Sequence, residues 1–134
     1  MNDRFDIAVA AGAAGVHLPA DSLPVIVVRE NVGPDMIIGV STHGSEEVVA
    51  AAEQGADFAV FGPVFDTPGK GPAKGLGALA AVCREAGGFP VLGLGGVDHG
   101  NFRSVIDAGA AGFAAIRSLN DPDSLSEIME LLKR

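Results

Sequence analysis

The chain has 134 residues and a formal net charge of −8, so it is long enough for one domain with a sizeable core and strongly acidic. An acidic protein of this kind is repelled by nucleic acid and by anionic membranes, which excludes both as expected partners. The single Cys83 excludes an internal disulfide, and no apolar stretch is long enough to span a bilayer. We expect a cytoplasmic protein with one domain over residues 1–134.

Helices and strands are predicted to alternate along the whole chain. The chain starts on a helix for which Asp3 is placed as the cap. A Gly-Ala pair followed by an apolar strand then recurs at Gly12, Gly55 and Gly109, as is typical of joints between a helix and a strand. The five predicted strands lie within 12–18, 36–41, 55–62, 89–97 and 109–117, and further helices within about 23–31, 45–54, 76–86, 101–108 and 124–133.

This alternation predicts an α/β fold with five parallel strands and right-handed crossovers. A doubly wound sheet and part of a barrel are both possible, and the internal repeat favours the barrel. The carboxyl ends of parallel strands lie on one rim, where α/β proteins carry their chemistry.

The fourth strand ends in Gly95 and Gly96, and Asp98 is placed to cap the next helix. Glycines leave the backbone bare beside a helix start, which suits a phosphate group. A tight turn explains the same glycines, and this stretch alone favours the turn. The third strand runs into a long loop over 63–75, rich in Pro and Gly, in which Thr67, Lys70 and Lys74 favour an anion-binding flap over a solvated linker.

A phosphate-ester site is predicted where the last two strands end. Barrels often bind phosphate between these loops, which here hold Gly95-Gly96 and Arg117-Ser118. Arg117 has no acidic neighbour in the chain, so its guanidinium is available to an anion. The three His residues lack metal-binding spacing, so we expect no zinc site. His17 is interpreted as a core residue and His99 as a surface residue.

Six motifs taken together resemble the thiamine phosphate synthase family, which includes the related thiazole tautomerases. They cover the chain in order and read, in sequence: Asn2-Asp-Arg4, Gly15-Val-His-Leu18, Gly39-Val-Ser-Thr-His43, Gly62-Pro-Val-Phe-Asp-Thr-Pro-Gly-Lys70, Gly93-Leu-Gly-Gly96 and Gly112-Phe-Ala-Ala-Ile-Arg117.

The resemblance implies an eight-stranded barrel, of which this chain supplies five strands. We therefore expect a partial TIM (β/α)8 barrel without the first three strands and two helices, as a fragment, a misassigned start or a shortened descendant. The open flank near Val16 and Ile38 is expected to expose edge groups and apolar surface, and so to favour self-association or a partner fragment.

The resemblance also implies an activity, in which hydroxymethylpyrimidine pyrophosphate and thiazole phosphate are joined to give thiamine phosphate and pyrophosphate. Pyrophosphate leaves first, and the thiazole nitrogen captures the pyrimidine methyl cation. By resemblance, Asp3 would hold Mg²⁺. Asn2, Ser41 and Lys70 would contact pyrophosphate, with Ser41 and Lys70 as the catalytic residues. Thr67 would face the thiazole, and its phosphate would be bound by Gly95, Gly96, Arg117 and Ser118.

Three positions depart from the family pattern. Ser22 stands where a second Mg²⁺ carboxylate is usual, unless Asp21 shifts to serve, and Gly69 replaces a Thr. Arg117 replaces a Ser at the end of the last strand. The alternatives are a thiazole tautomerase, which needs acid–base chemistry and no Mg²⁺, and a non-catalytic binder of thiazole phosphate or thiamine phosphate. Because the pyrimidine-binding strands are missing, the chain alone is expected to be slow or inactive.

Overall fold

Five parallel strands form one open sheet in the computed structural model, which describes residues 1–133. The strands are β1 (Gly15–Leu18), β2 (Ile37–Thr42), β3 (Phe58–Phe61), β4 (Val91–Leu94) and β5 (Gly112–Ala114). The helices are α1 (Phe5–Ala10), α2 (Val25–Val32), α3 (Ser45–Glu53), α4 (Gly75–Glu85), α5 (Phe102–Asp107), α6 (Arg117–Asn120) and α7 (Pro122–Leu132). Within the described residues, no helix combines the length and the apolar composition that a membrane crossing needs.

The order of the strands identifies the sheet as part of a barrel. Each strand pairs in parallel with the next one along the chain, in the order β1-β2-β3-β4-β5. A doubly wound sheet would reverse its order partway, and this sheet does not. Since β1 and β5 do not pair with each other, the barrel is open. The predicted fold class is confirmed.

The core lies between the sheet and its helices. Strand residues alternate between two faces, and the register aligns Val16 with Ile38 and Leu18 with Val40. These four side chains join one buried cluster with residues of α1, α2 and α3. Ala59, Phe61 and Val91 continue the same face into a second cluster with residues of α3, α4, α5 and α7. Both clusters are therefore on the outer side of the sheet.

The inner face of the sheet carries large apolar side chains and is only partly covered. Ile37 alternates with the buried Ile38, so it faces inwards, and it is 50% exposed. The Phe58 ring lies over Gly39, and a Cβ on that glycine would overlap the ring. In a closed barrel this face would be filled by side chains from all the strands.

The edge at β1 differs from the expectation. Val16 is 4% exposed and Ile38 is fully buried, so neither contributes the exposed apolar surface predicted there. The segment that precedes α1 also runs along β1, where the Asp3 amide donates to His17 O at 2.7 Å and the His17 amide to Met1 O at 2.8 Å. Apolar surface near this edge is exposed by the neighbour of Ile38 on β2, Ile37, which faces inwards.

Three local predictions were wrong. The side chain of Asp3 does not cap α1: the residue before that helix is Arg4, and the Asp3 carboxylate accepts a bond from Ser22. Asp98 does not cap α5 through its side chain, since its carboxylate accepts the Gly100 amide. The last strand ends at Ala114, and Arg117 begins the short helix α6.

Arg29 on α2 ties the amino-terminal side of the sheet together. Its guanidinium donates to Gly55 O at 2.9 Å, Gly33 O at 2.8 Å and Met36 O at 2.7 Å. It also contacts Asp57 Oδ2 at 2.6 Å, and the same oxygen accepts the Ile38 amide at 2.7 Å. One side chain therefore satisfies carbonyl groups at three loop ends, and it connects α2 to the loops that lead into β2 and β3.

Replacing Arg29 by Met should lower the free energy of unfolding by about 1.5–3 kcal/mol, because hydrogen bonds to a charged donor are lost while the apolar stem is kept. Denaturant unfolding followed by circular dichroism measures the change. Arg84→Met is the matched control, since Arg84 is exposed on α4. Equal losses in the two variants would contradict a structural role for Arg29.

Candidate functional site

A cleft of about 680 Å³ opens at the carboxyl ends of the strands. It is bounded by the ends of β2, β3 and β4, by the loop after β3, and by the segment from β5 to α6. Seven of the nine residues predicted from the sequence line it: Ser41, Thr67, Lys70, Gly95, Gly96, Arg117 and Ser118. Asn2 and Asp3 do not line it.

Gly95 and Gly96 allow the loop after β3 to pack against the end of β4. Their φ angles are +104° and +63°, values that side chains other than glycine rarely adopt. A Cβ on Gly95 would come 2.7 Å from Pro63 Cα, and one on Gly96 would come 2.8 Å from Asp66 O. The turn interpretation is therefore sufficient to explain both glycines, and a role in phosphate binding stays a prediction.

The loop after β3 is fastened at its base and contains no helix. The Lys74 amide donates to Pro63 O at 2.8 Å, and the Gly75 amide donates to Val64 O at 3.0 Å. Within the loop, Thr67 Oγ1 donates to Phe65 O at 3.0 Å. The Thr67 hydroxyl can therefore offer the cleft its lone pairs, while the exposed ammonium of Lys70 supplies a positive charge.

Arg117 and Ser118 lie side by side at the start of α6 but differ in what they can offer an anion. Ser118 Oγ donates to Val97 O at 2.7 Å, so its proton is already engaged. Arg117 is exposed, and among residues 1–133 its guanidinium makes no hydrogen bond or ion pair. Of the two side chains, Arg117 is the one able to donate to a phosphate.

Two acidic side chains that the sequence reasoning did not select also line the cleft. Asp66 belongs to the loop after β3, and Asp98 to the loop after β4. Together with Lys70 and Arg117 they give the cleft two groups of each sign. Binding of an anion therefore depends on where the cations lie rather than on a net positive field.

Asp3 and Ser22 meet beside the cleft rather than inside it. Ser22 Oγ donates to Asp3 Oδ1 at 2.5 Å, and the backbone of Asp3 has a φ of +64°. Ser22, at the position where the resemblance led us to expect a second carboxylate, thus contacts the predicted metal ligand. Asp21 is exposed one residue away.

The Asp3–Ser22 pair is compatible with Mg²⁺. This ion is commonly held by one or two carboxylates, with water and substrate phosphate oxygens completing an octahedron. Asp3 supplies one exposed carboxylate, and no three acidic, His or Cys side chains within residues 1–133 gather into a fuller set. Mg²⁺ bound at Asp3 would therefore need further ligands, such as phosphate oxygens of a substrate, to complete its coordination.

His17 is placed differently from a buried core residue. It is half-buried on the inner face of β1, and its Nε2 lies 2.8 Å from Ser41 Oγ on β2. Burial lowers the pKa of His17, which favours the neutral imidazole at pH 7. His17 lies on the other face of β1 from its buried neighbours Val16 and Leu18. The alternation of side chains along this strand could have been read from the sequence. His99 is exposed and lies 3.6 Å from Glu127, as expected of a surface residue.

Comparison with known proteins identifies related sequences over almost the whole chain. The family model described as thiamine monophosphate synthase matches residues 1–119. A protein named putative thiamine-phosphate synthase from Geobacter sulfurreducens is 46% identical and is covered over 63% of its length by 98% of this chain. The thiamine-phosphate synthase of Chlorobium phaeovibrioides is 42% identical, with 96% of this chain covering 64% of it.

A solved structure gives the same result for the fold. A thiamine phosphate pyrophosphorylase from Pyrococcus furiosus superposes with a TM-score of 0.84 at 29% identity, over 98% of this chain and 65% of the other. The chain spans less than two thirds of the length of each of these three relatives.

Proposed function

The chain belongs to the thiamine monophosphate synthase family, and from that membership we propose that it takes part in thiamine biosynthesis as a thiamine phosphate synthase-like protein. Its reaction would join hydroxymethylpyrimidine pyrophosphate to thiazole phosphate. The observation that carries the proposal is the convergence of seven predicted residues, from four separate motifs, on one cleft at the strand ends. Neither the tautomerase nor the non-catalytic binder gains an observation of its own.

The cleft is proposed to divide between two phosphate groups. Lys70 and Ser41 would donate to pyrophosphate as its negative charge develops, which is the main task in a reaction that proceeds by leaving-group departure. Arg117 would bind the phosphate of the thiazole, next to the backbone of Gly95 and Gly96. Thr67 Oγ1 would lie 3.2 Å from a Cβ added to Gly95, so it is close to that backbone. We propose that Thr67 separates the pyrophosphate from the thiazole phosphate.

Mg²⁺ is proposed as the cofactor, held by Asp3 with Ser22 as its neighbour. When bound, the ion would neutralise charge on the pyrophosphate oxygens. Asn2, exposed and adjacent to Asp3, would lie near the same oxygens. The residues of this chain would otherwise act by orienting the substrate, since proximity and electrostatic stabilisation suffice for such a step.

We also propose that further protein covers the inner face of the sheet, because Ile37 and Phe58 leave apolar surface there. A second copy of the chain is the predicted occupant, and a monomeric mass in sedimentation at low concentration would contradict it. A cytoplasmic location, expected from the composition, is likewise a proposal that cell fractionation can test.

Replacing Arg117 by Ala should weaken the binding of thiazole phosphate about 10-fold to 100-fold, the loss expected from one charge-assisted contact of roughly 1.5–3 kcal/mol. Calorimetric titration measures the affinity. Arg84→Ala, which removes the same charge from an exposed site on α4, should leave the affinity unchanged. If both variants bind as tightly as the original chain, Arg117 is not part of the site.

Mg²⁺ should strengthen pyrophosphate binding by about 10-fold or more, and Asp3→Asn should abolish that gain because the carboxylate ligand is lost. Titration of pyrophosphate with and without Mg²⁺ measures the difference. Asp21→Asn is the control with the same charge change, and it should preserve the gain. A loss in the Asp21 variant alone would transfer the metal-binding role to Asp21.

A further inference from the structure

His17 contacts Ser41 on the inner face of the sheet, and the proposed function gives a role to Ser41 but none to His17. His17 Nε2 lies 2.8 Å from Ser41 Oγ, and the His17 ring is 6.3 Å from the Phe58 ring, centre to centre. Ser41 lines the cleft, whereas His17 does not. The imidazole therefore touches the hydroxyl from beneath, on the side away from the cleft.

The backbone of His17 is fixed on both sides. Its amide and carbonyl bond to the segment Met1–Asp3, and its register partner on β2 is Gly39. Because Gly39 has no side chain, Phe58 can lie across it and support the imidazole. The ring is thus held in place by packing, while its hydrogen bond reaches the end of β2.

A hydroxyl has one proton, so the direction of this hydrogen bond decides what Ser41 presents to the cleft. If Ser41 donates to His17, its oxygen presents lone pairs, which repel an anion. If His17 donates through Nε2–H, the Ser41 proton is free to point into the cleft. Neutral imidazole carries a single N–H, and both tautomers fit the observed distance.

We propose that His17 is a positioning residue that donates its Nε2–H to Ser41 Oγ and so directs the Ser41 hydroxyl proton towards a pyrophosphate oxygen in the cleft. The inference rests on the proposed function, since it requires an anion at Ser41. It assigns His17 a role that its interpretation as a core residue did not include. An anion in the cleft selects the Nε2–H tautomer, because only that tautomer leaves Ser41 as a donor.

The first test is the tautomer of His17 in the whole chain, read from the ¹⁵N shifts of its ring by NMR with pyrophosphate present. We expect Nε2 to carry the proton and Nδ1 to be unprotonated. Ser41→Ala should relax this preference, since it removes the acceptor. A proton on Nδ1, with Nε2 accepting from Ser41, would overturn the inference without affecting the proposed function.

The second test is pyrophosphate affinity in a mutant cycle. His17→Phe keeps the ring and removes the donor, and we expect it to weaken binding about 10-fold, as should Ser41→Ala. The double variant should be no weaker than Ser41→Ala, because the two residues act through one hydroxyl. His17→Gln supplies an amide N–H and should bind within about 3-fold of the original chain.

The outcomes separate the two levels of the account. If the original chain binds pyrophosphate and His17→Phe binds it equally well, His17 has no positioning role. Additive losses in the double variant would have the same meaning. If the original chain binds no pyrophosphate at all, the proposed function fails, and the inference that depends on it fails with it. Circular dichroism shows whether each variant folds, and the tautomer measurement needs no change at His17.

Discussion

Strand alternation within a parallel register is the constraint on which the rest of this structure depends. Because every strand pairs with the next in the same direction, one set of side chains meets the helices and the other set faces inwards. The outward set, from Val16 to Val91, builds both core clusters. The same register brings the carboxyl ends of the strands to one rim, where residues from four motifs meet around the cleft.

Much of the fold could be predicted because its helices and strands follow local sequence patterns. The Gly-Ala joints ahead of three strands and the apolar strand runs predicted the number and direction of the strands. The strand order stayed open between a doubly wound sheet and a barrel, and the repeat and the resemblance favoured a partial barrel. The errors arose where local signals compete with tertiary contacts. Asp3 is a residue type that often caps helices and lies just before α1, yet its carboxylate accepts a hydrogen bond from Ser22, 19 residues away in the chain. The strand pattern up to Arg117 stops early, because β5 pairs with β4 only as far as Ala114.

The site was less predictable than the fold for a physical reason. The sequence predicts which side chains lie at the carboxyl ends of the strands, but not which hydrogen bonds they make with the rest of the chain. Ser118 was expected to bind the thiazole phosphate and Thr67 to face the thiazole, and the structure shows the hydroxyl protons of both engaged with carbonyl groups of the chain. Arg29 was not selected, although its guanidinium makes four hydrogen bonds on the opposite side of the sheet. Ser118 bonds to Val97, 21 residues away, and Arg29 to Asp57, 28 residues away, so no local pattern identifies these two partners. The bond from Thr67 to Phe65 is local, two residues apart, but a hydroxyl in a loop has several such acceptors within reach.

Two of the three expected departures from the family pattern, Ser22 and Arg117, lie in different parts of the structure. Ser22 meets Asp3 beside the cleft, and Arg117 lies within it beside Gly95 and Gly96. By the family pattern expected from the resemblance, the first exchange would remove a negative charge from the proposed metal site, and the second would add a positive charge at the proposed thiazole phosphate site. We therefore expect the strongest anion binding of this chain at the ends of β4 and β5.

The most direct measurement is an NMR titration of the ¹⁵N-labelled chain with thiamine phosphate, which carries the phosphate expected at Arg117. The account predicts saturable shifts in the amide signals of Gly95, Gly96 and Arg117, with smaller shifts at Thr67. Inorganic phosphate should perturb the first three only. Shifts confined to other parts of the chain, or none at saturating ligand, would contradict the assignment of the cleft.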